Sequence, residues 1–113
     1  ARQAMLLQRV SLGADAMSAR EALELATRGG ADILGRPECG RLAPGKRADL
    51  AIWDVSGLEA AGSWDPAALL LAGPMTVKHL FVEGQQIIRD HAFTRLDLPA
   101  VIAEQNRLAR NLM

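Results

Sequence analysis

Two histidines, one cysteine and a scatter of carboxylates are the only residues in this chain with obvious catalytic chemistry. A catalytic zinc needs three protein ligands and an open position. His79 and His91 are twelve residues apart, and the sequence holds neither a His-x-His nor a His-Glu-x-x-His pattern. A hairpin centred on Glu83-Gly84 places His79 opposite Ile88 rather than beside His91. The two histidines therefore read as a half-buried strand residue and an exposed loop residue. Cys39 would need a positioned base to act as a nucleophile, and neither histidine lies near it in sequence.

Pro44-Gly45-Lys46 has the look of a phosphate loop, but such a loop ends in Gly-Lys-Ser/Thr and opens a helix. Here Arg47 follows and an apolar run comes next. A type II turn, with Pro44 and Gly45 at its two central positions, fits better. Asp49 stands just before that run, and its carboxylate is read as tying down turn backbone rather than as a catalytic group. Trp53 and Trp64 read as core or interface anchors. Leu69-Leu70-Leu71 could pack on another subunit or on chain not present here.

The elements that would position these residues are short. Residues 1–12 carry a helical pattern with Ala4, Leu7, Leu6 and Val10 on its apolar side, ending at Gly13. Ser18-Ala19-Arg20-Glu21 fits a capping box that opens a second helix, with Ala22, Leu25 and Ala26 on its apolar face. Gly29-Gly30 is expected to break it, leaving a short turn before Gly35. Leu50–Val55 is a strand by length and flanking turns. Asp65 caps a short helix at Pro66–Leu71, which Gly73-Pro74 stops. Val77–Val82 and Gln86–Arg89 form a hairpin about Glu83-Gly84. Asp97 caps a last helix whose stripe is Leu98, Val101, Ile102, Leu108, Ala109 and Leu112. Three strands and a few helices make a thin domain, which implies that the piece leans on other segments.

The 113 residues carry 13 basic and 13 acidic side chains, so the net charge is zero. With 4% aromatic residues, neither a charged field nor a stacking platform suggests nucleic acid. No apolar run reaches the ~20 residues of a membrane span. One cysteine cannot form an internal disulfide, which is compatible with a reducing cytoplasm. The first residues run straight into a helix without a signal peptide, and the absence of an initiating Met looks like a cut.

Several motifs, taken in order, resemble the C-terminal part of the amidohydrolase superfamily. They are Glu21-Ala22-Leu23 with Ala26-Thr27, Ala31, Leu34-Gly35, Gly40-Arg41-Leu42, Pro44-Gly45-Lys46, Ala48-Asp49-Leu50, the hairpin Val77–Arg89 and the final helix. Ser63-Trp64-Asp65-Pro66 with Ala68–Gly73, and the opening Arg2–Arg9, are similar to the cytosine/guanine, triazine and 8-oxoguanine deaminase branch. Asp90-His91 departs from an Asp-Gly frequent in relatives and lies in the hairpin's exit.

The resemblance implies an α/β fold: the C-terminal fragment of a (β/α)8 TIM barrel with strands of an accessory composite β-sandwich. Residues 1–35 would be terminal barrel helices and 36–95 sandwich strands, with strands at 49–55, 77–82 and 86–90. Residues 96–113 would be a helix packing back on the barrel. The implied reaction is hydrolytic deamination of an amino-substituted heteroaromatic ring. A single Zn²⁺ or Fe²⁺ would lower the pKa of its bound water, and acid–base residues would move protons to the departing ammonia. The family's ligands would all precede Ala1, so no position here is assigned as catalytic, cofactor-binding or metal-ligating. The implied partners are the remainder of the barrel and a small heterocyclic substrate, with no nucleic acid or membrane. A homo-oligomer remains open, and the implied compartment is the cytoplasm. The rivals are a self-contained α+β interaction or binding module, and an amidohydrolase that opens cyclic amides.

Overall fold

A computed structural model describes residues 1–73 and 75–112. Helix α1 spans Arg2–Leu12 and ends at Gly13, as its sequence suggests. Its buried residue is Met5, while Leu7 and Val10 are exposed at 65% and 86%. The expected stripe of Leu7 and Val10 therefore faces away from the rest of this chain. Helix α2 spans Ala19–Glu24 and opens with a complete capping box. Glu21 N–H donates to Ser18 Oγ at 3.2 Å, and Ser18 N–H donates to the Glu21 carboxylate at 2.7 Å. The Ser18 backbone N–H, and after it the Ser18 hydroxyl, which donates to the same carboxylate at 2.7 Å, hold the Glu21 carboxyl below its ordinary value.

Gly29-Gly30 does not break the helical path. The chain continues through a π turn, Leu25–Gly29, into α3, Gly30–Ile33. Gly30 N–H donates to Leu25 O across the wide turn. Thr27 Oγ1 donates to Leu23 O at 2.8 Å on the way. The wider ring absorbs one residue without releasing the backbone bonds, so two glycines are tolerated where an ideal α-helix would be weakened. Only Ala22 of the expected Ala22–Leu25–Ala26 face is buried.

The sheet is antiparallel with the order β1-β2-β3-β4. β1 is Leu50–Trp53, shorter than expected, and β2 is Val77–Val82. β3 is Gln85–Arg89, and a fourth strand, β4, is Ala92–Phe93. The β2–β3 turn has φ of 52° at Glu83 and 77° at Gly84, the left-handed pair of a type I′ turn. Its register then slips: Phe81 faces Gln86 but Leu80 faces Ile88, so Ile87 is bulged out. His79 is thereby displaced from the Ile88 pairing that simple counting gives.

Asp90-His91 is not a loose exit but the two-residue turn between β3 and β4. Both residues have positive φ, 47° and 67°, where glycine would cost nothing. His91→Gly should slow amide exchange at Thr94, whose N–H donates to Ile87 O at 3.0 Å. The expected gain is about 0.5–1 kcal/mol, or a few-fold slower local opening. His91→Ala keeps the Cβ, loses the ring and should not produce it; faster exchange in the glycine variant would refute the account.

Helix α4, Pro66–Ala72, lies in the long β1–β2 connection. Asp65 caps it by accepting from Ala67 N–H at 3.1 Å. Of the expected Gly73-Pro74 stop, Gly73 is the helix C-cap, while Pro74 lies outside the described residues. Leu71 packs with Met5 and Ala22, and Leu69 with Ala60 and Met75. Two of the three leucines of the run are thus buried within this chain. Helix α5, Leu98–Arg110, is capped by Asp97 and has no buried residue.

These two small clusters, with Ala31 and Ala67, are the buried apolar core among the described residues. The Cα radius of gyration is 17.4 Å, against about 13 Å for a compact domain of this length. The chain exposes 8529 Å², roughly 2,500 Å² more than a compact protein of its mass. An excess of that size, with its exposed leucines and valines, is the area of a large interface.

Candidate functional site

The signature stretch 40–50 builds a clasp between helices and sheet. Gly40, with φ of 77°, lets the loop press against the π turn. A Cβ there would lie 2.9 Å from Thr27 O, 3.0 Å from the Ala31 Cβ and 3.1 Å from the Arg28 Cα. Pro44-Gly45 forms the expected type II turn: Gly45 has φ of 78°, and Lys46 N–H donates to Ala43 O at 3.1 Å. The Lys46 ammonium donates to Pro37 O at 2.7 Å, which closes the loop instead of offering a phosphate cradle.

Asp49 does tie down turn backbone, but the turn is a distant one. Its carboxylate accepts from Glu83 N–H at 2.6 Å, and Ala48 O accepts from Gly84 N–H at 3.0 Å. Arg47 pairs with the Glu83 carboxylate, and its Nε lies 3.4 Å from Asp49 Oδ2. One loop thus holds the tip of the β2–β3 hairpin through both backbone and charge. Spacing alone did not give this pairing, because its partners are 34 residues apart.

The other polar constellation is Asp54, Ser56 and His91, which line an open cleft of about 420 Å³ with Glu59 and Thr76. Asp54 Oδ1 accepts from Ser56 Oγ at 2.6 Å and from Ser56 N–H at 2.9 Å. His91 Nε2 lies 3.2 Å from Asp54 Oδ2. A nucleophilic serine needs the imidazole next to its hydroxyl, whereas here serine and histidine both bond the carboxylate. The group is an Asx-type clip at the end of β1, not a triad.

The Ser56 hydroxyl and N–H, then His91 and Lys78, hold the Asp54 carboxyl down to about 2 from 3.8. A lowered folded-state value means the clip stabilises the fold above the ordinary carboxylate range and is lost as pH falls through about 2. A carboxyl NMR titration should place Asp54 near 2, and Ser56→Ala should move it upward. A midpoint that Ser56→Ala leaves in place would refute the assignment.

His79 sits elsewhere. Its Nδ1 accepts from Asp90 N–H and faces Gln86 Nε2, both at 3.3 Å. Cys39 Sγ lies 3.8 Å from Glu38 Oε1, a carboxylate oxygen that also accepts from Arg36 Nε at 2.8 Å, and neither histidine is among its described partners. Among the described residues, no three His, Cys, Asp or Glu side chains come together to hold a metal ion. Trp53 is 39% exposed and Trp64 96% exposed, so neither is a core residue of this chain. Trp53 edges a shallow apolar groove with Leu23, Leu42, Leu50 and Leu70. No described helix is long and apolar enough to cross a membrane.

The chain is thus α/β with an antiparallel sheet, and its Gly-Arg-Leu…Pro-Gly-Lys…Ala-Asp-Leu stretch clasps the tip of a hairpin. Residues 1–87 match the model of the amidohydrolase family, and the chain belongs to that family. It is 44% identical to the 8-oxoguanine deaminase of Pseudomonas aeruginosa, covering 100% of this chain and 25% of that protein. A variant of the atrazine chlorohydrolase of Arthrobacter aurescens, solved with zinc and atraton, superposes with a TM-score of 0.84 at 34% identity. That match covers 95% of this chain and 25% of the other. A zinc-bound adenosine deaminase from Xanthomonas campestris gives a TM-score of 0.88 at 27% identity, covering 97% and 26%. The chain therefore spans about a quarter of the length of these relatives.

Proposed function

We propose that this chain is the C-terminal structural quarter of a metal-dependent amidohydrolase that hydrolytically deaminates an amino-substituted heteroaromatic ring. The observation that carries this reading is the 44% identity to an 8-oxoguanine deaminase along the whole chain. Two of the three relatives described above are deaminases by name, and the third acts on atrazine. All three names point to nitrogen heterocycles as the substrate class.

Zinc in two of those relatives supports a divalent metal in the whole protein, Zn²⁺ or Fe²⁺. The residues present here do not fit one, because the described histidines, cysteine and carboxylates do not converge. The metal and the acid–base groups would therefore belong to the remainder of the polypeptide, with which this chain would be continuous in a cytoplasmic enzyme.

On this reading residues 1–35 are outer helices of the (β/α)8 barrel, 36–95 are strands of a composite β-sandwich, and 96–113 return to the barrel. The exposed Leu7 and Val10 and the unburied stripe of α5 support the helical part. The edge strand β1 supports the sandwich. Leu50, Ala51, Ile52 and Trp53 are apolar on both faces, the pattern of a strand covered on both sides. β1 carries no charge or proline to protect a free edge, whereas β4 is two residues long and is followed by Thr94-Arg95. A self-contained binding module would not leave a wholly apolar strand uncovered at the edge of its sheet.

The test is ammonia release by the whole polypeptide that contains this segment. 8-Oxoguanine, guanine, an adenine nucleoside and an aminotriazine should include at least one substrate, and chelation should abolish its turnover. A pure, metal-loaded protein that releases ammonia from none of them, yet opens a cyclic amide, would replace deamination with the rival hydrolysis.

A further inference from the structure

We draw no further inference here: the strongest candidate, the exposed apolar patch of Leu58 and Trp64 in the connection between β1 and α4, carries nothing because no feature of the structure shows what covers it.

Discussion

Purified alone, the 113-residue chain should release no ammonia from 8-oxoguanine, guanine or an aminotriazine, with or without added zinc. The whole polypeptide should turn over at least one of them. Hydrolytic enzymes typically lower a barrier by roughly 8–23 kcal/mol, and most of that needs an activated water and groups held around it. Nothing among the described residues supplies either. His91 is engaged with Asp54, and His79 with the Asp90 backbone and Gln86. The Ser56 hydroxyl is bound to the Asp54 carboxylate rather than to an imidazole. The effect should therefore be total rather than graded. Turnover that tracks the chain through purification, and that a chelator removes, would overturn the scaffold reading. The same preparation should sediment as an expanded or self-associating species, because its surface excess has no cover of its own.

The second large effect is expected at Gly40. Valine there meets two costs at once. Left-handed backbone costs a non-glycine residue about 1–2 kcal/mol, and overpacking against fixed neighbours costs about 1–3 kcal/mol more. The neighbours at 2.9–3.1 Å include a backbone oxygen and a Cα, which cannot rotate aside. Gly40→Val should therefore destabilise the protein by about 2–5 kcal/mol, read as the urea midpoint of the whole polypeptide. Gly35→Ala is the control. Gly35 also has positive φ, 63°, but its Cβ would meet nothing within 4 Å. It should lose only the backbone part, about 1 kcal/mol. Equal losses at the two positions would show that the close approach of loop to helix contributes nothing.

Much of this fold was legible in the sequence because its signals are local. The capping box at Ser18, the type II turn at Pro44-Gly45, the cap at Asp65 and the Glu83-Gly84 hairpin each depend on a few adjacent residues. The amidohydrolase motifs were readable for the same reason, since a turn and a strand fix most of their spacing. What escaped was set by tertiary context. β4 was missed because Asp90-His91 lacks the glycine that marks such a turn. The break at Gly29-Gly30 did not occur because a π turn kept the backbone bonded. The bulge at Ile87 breaks the regular register that counting from the turn assumes, and the reach of Asp49 to Glu83 joins a loop to a hairpin tip far along the chain. Where the apolar stripe of α1 docks was not legible, because helical periodicity shows a stripe without showing which neighbour covers it.

α4 interrupts the sheet in sequence but belongs to the helices in space. It lies between β1 and β2, buries Leu71 against Met5 and Ala22, and receives the Arg20 guanidinium on Asp65 at 2.9 Å. Gly40 and the Arg47–Asp49–Glu83 clasp join the same two layers from a second point. Two attachments far apart along the chain leave no single swivel between the layers. The helical and stranded halves should therefore travel together as one block, and any opening that admits a substrate to the larger protein must pivot somewhere else.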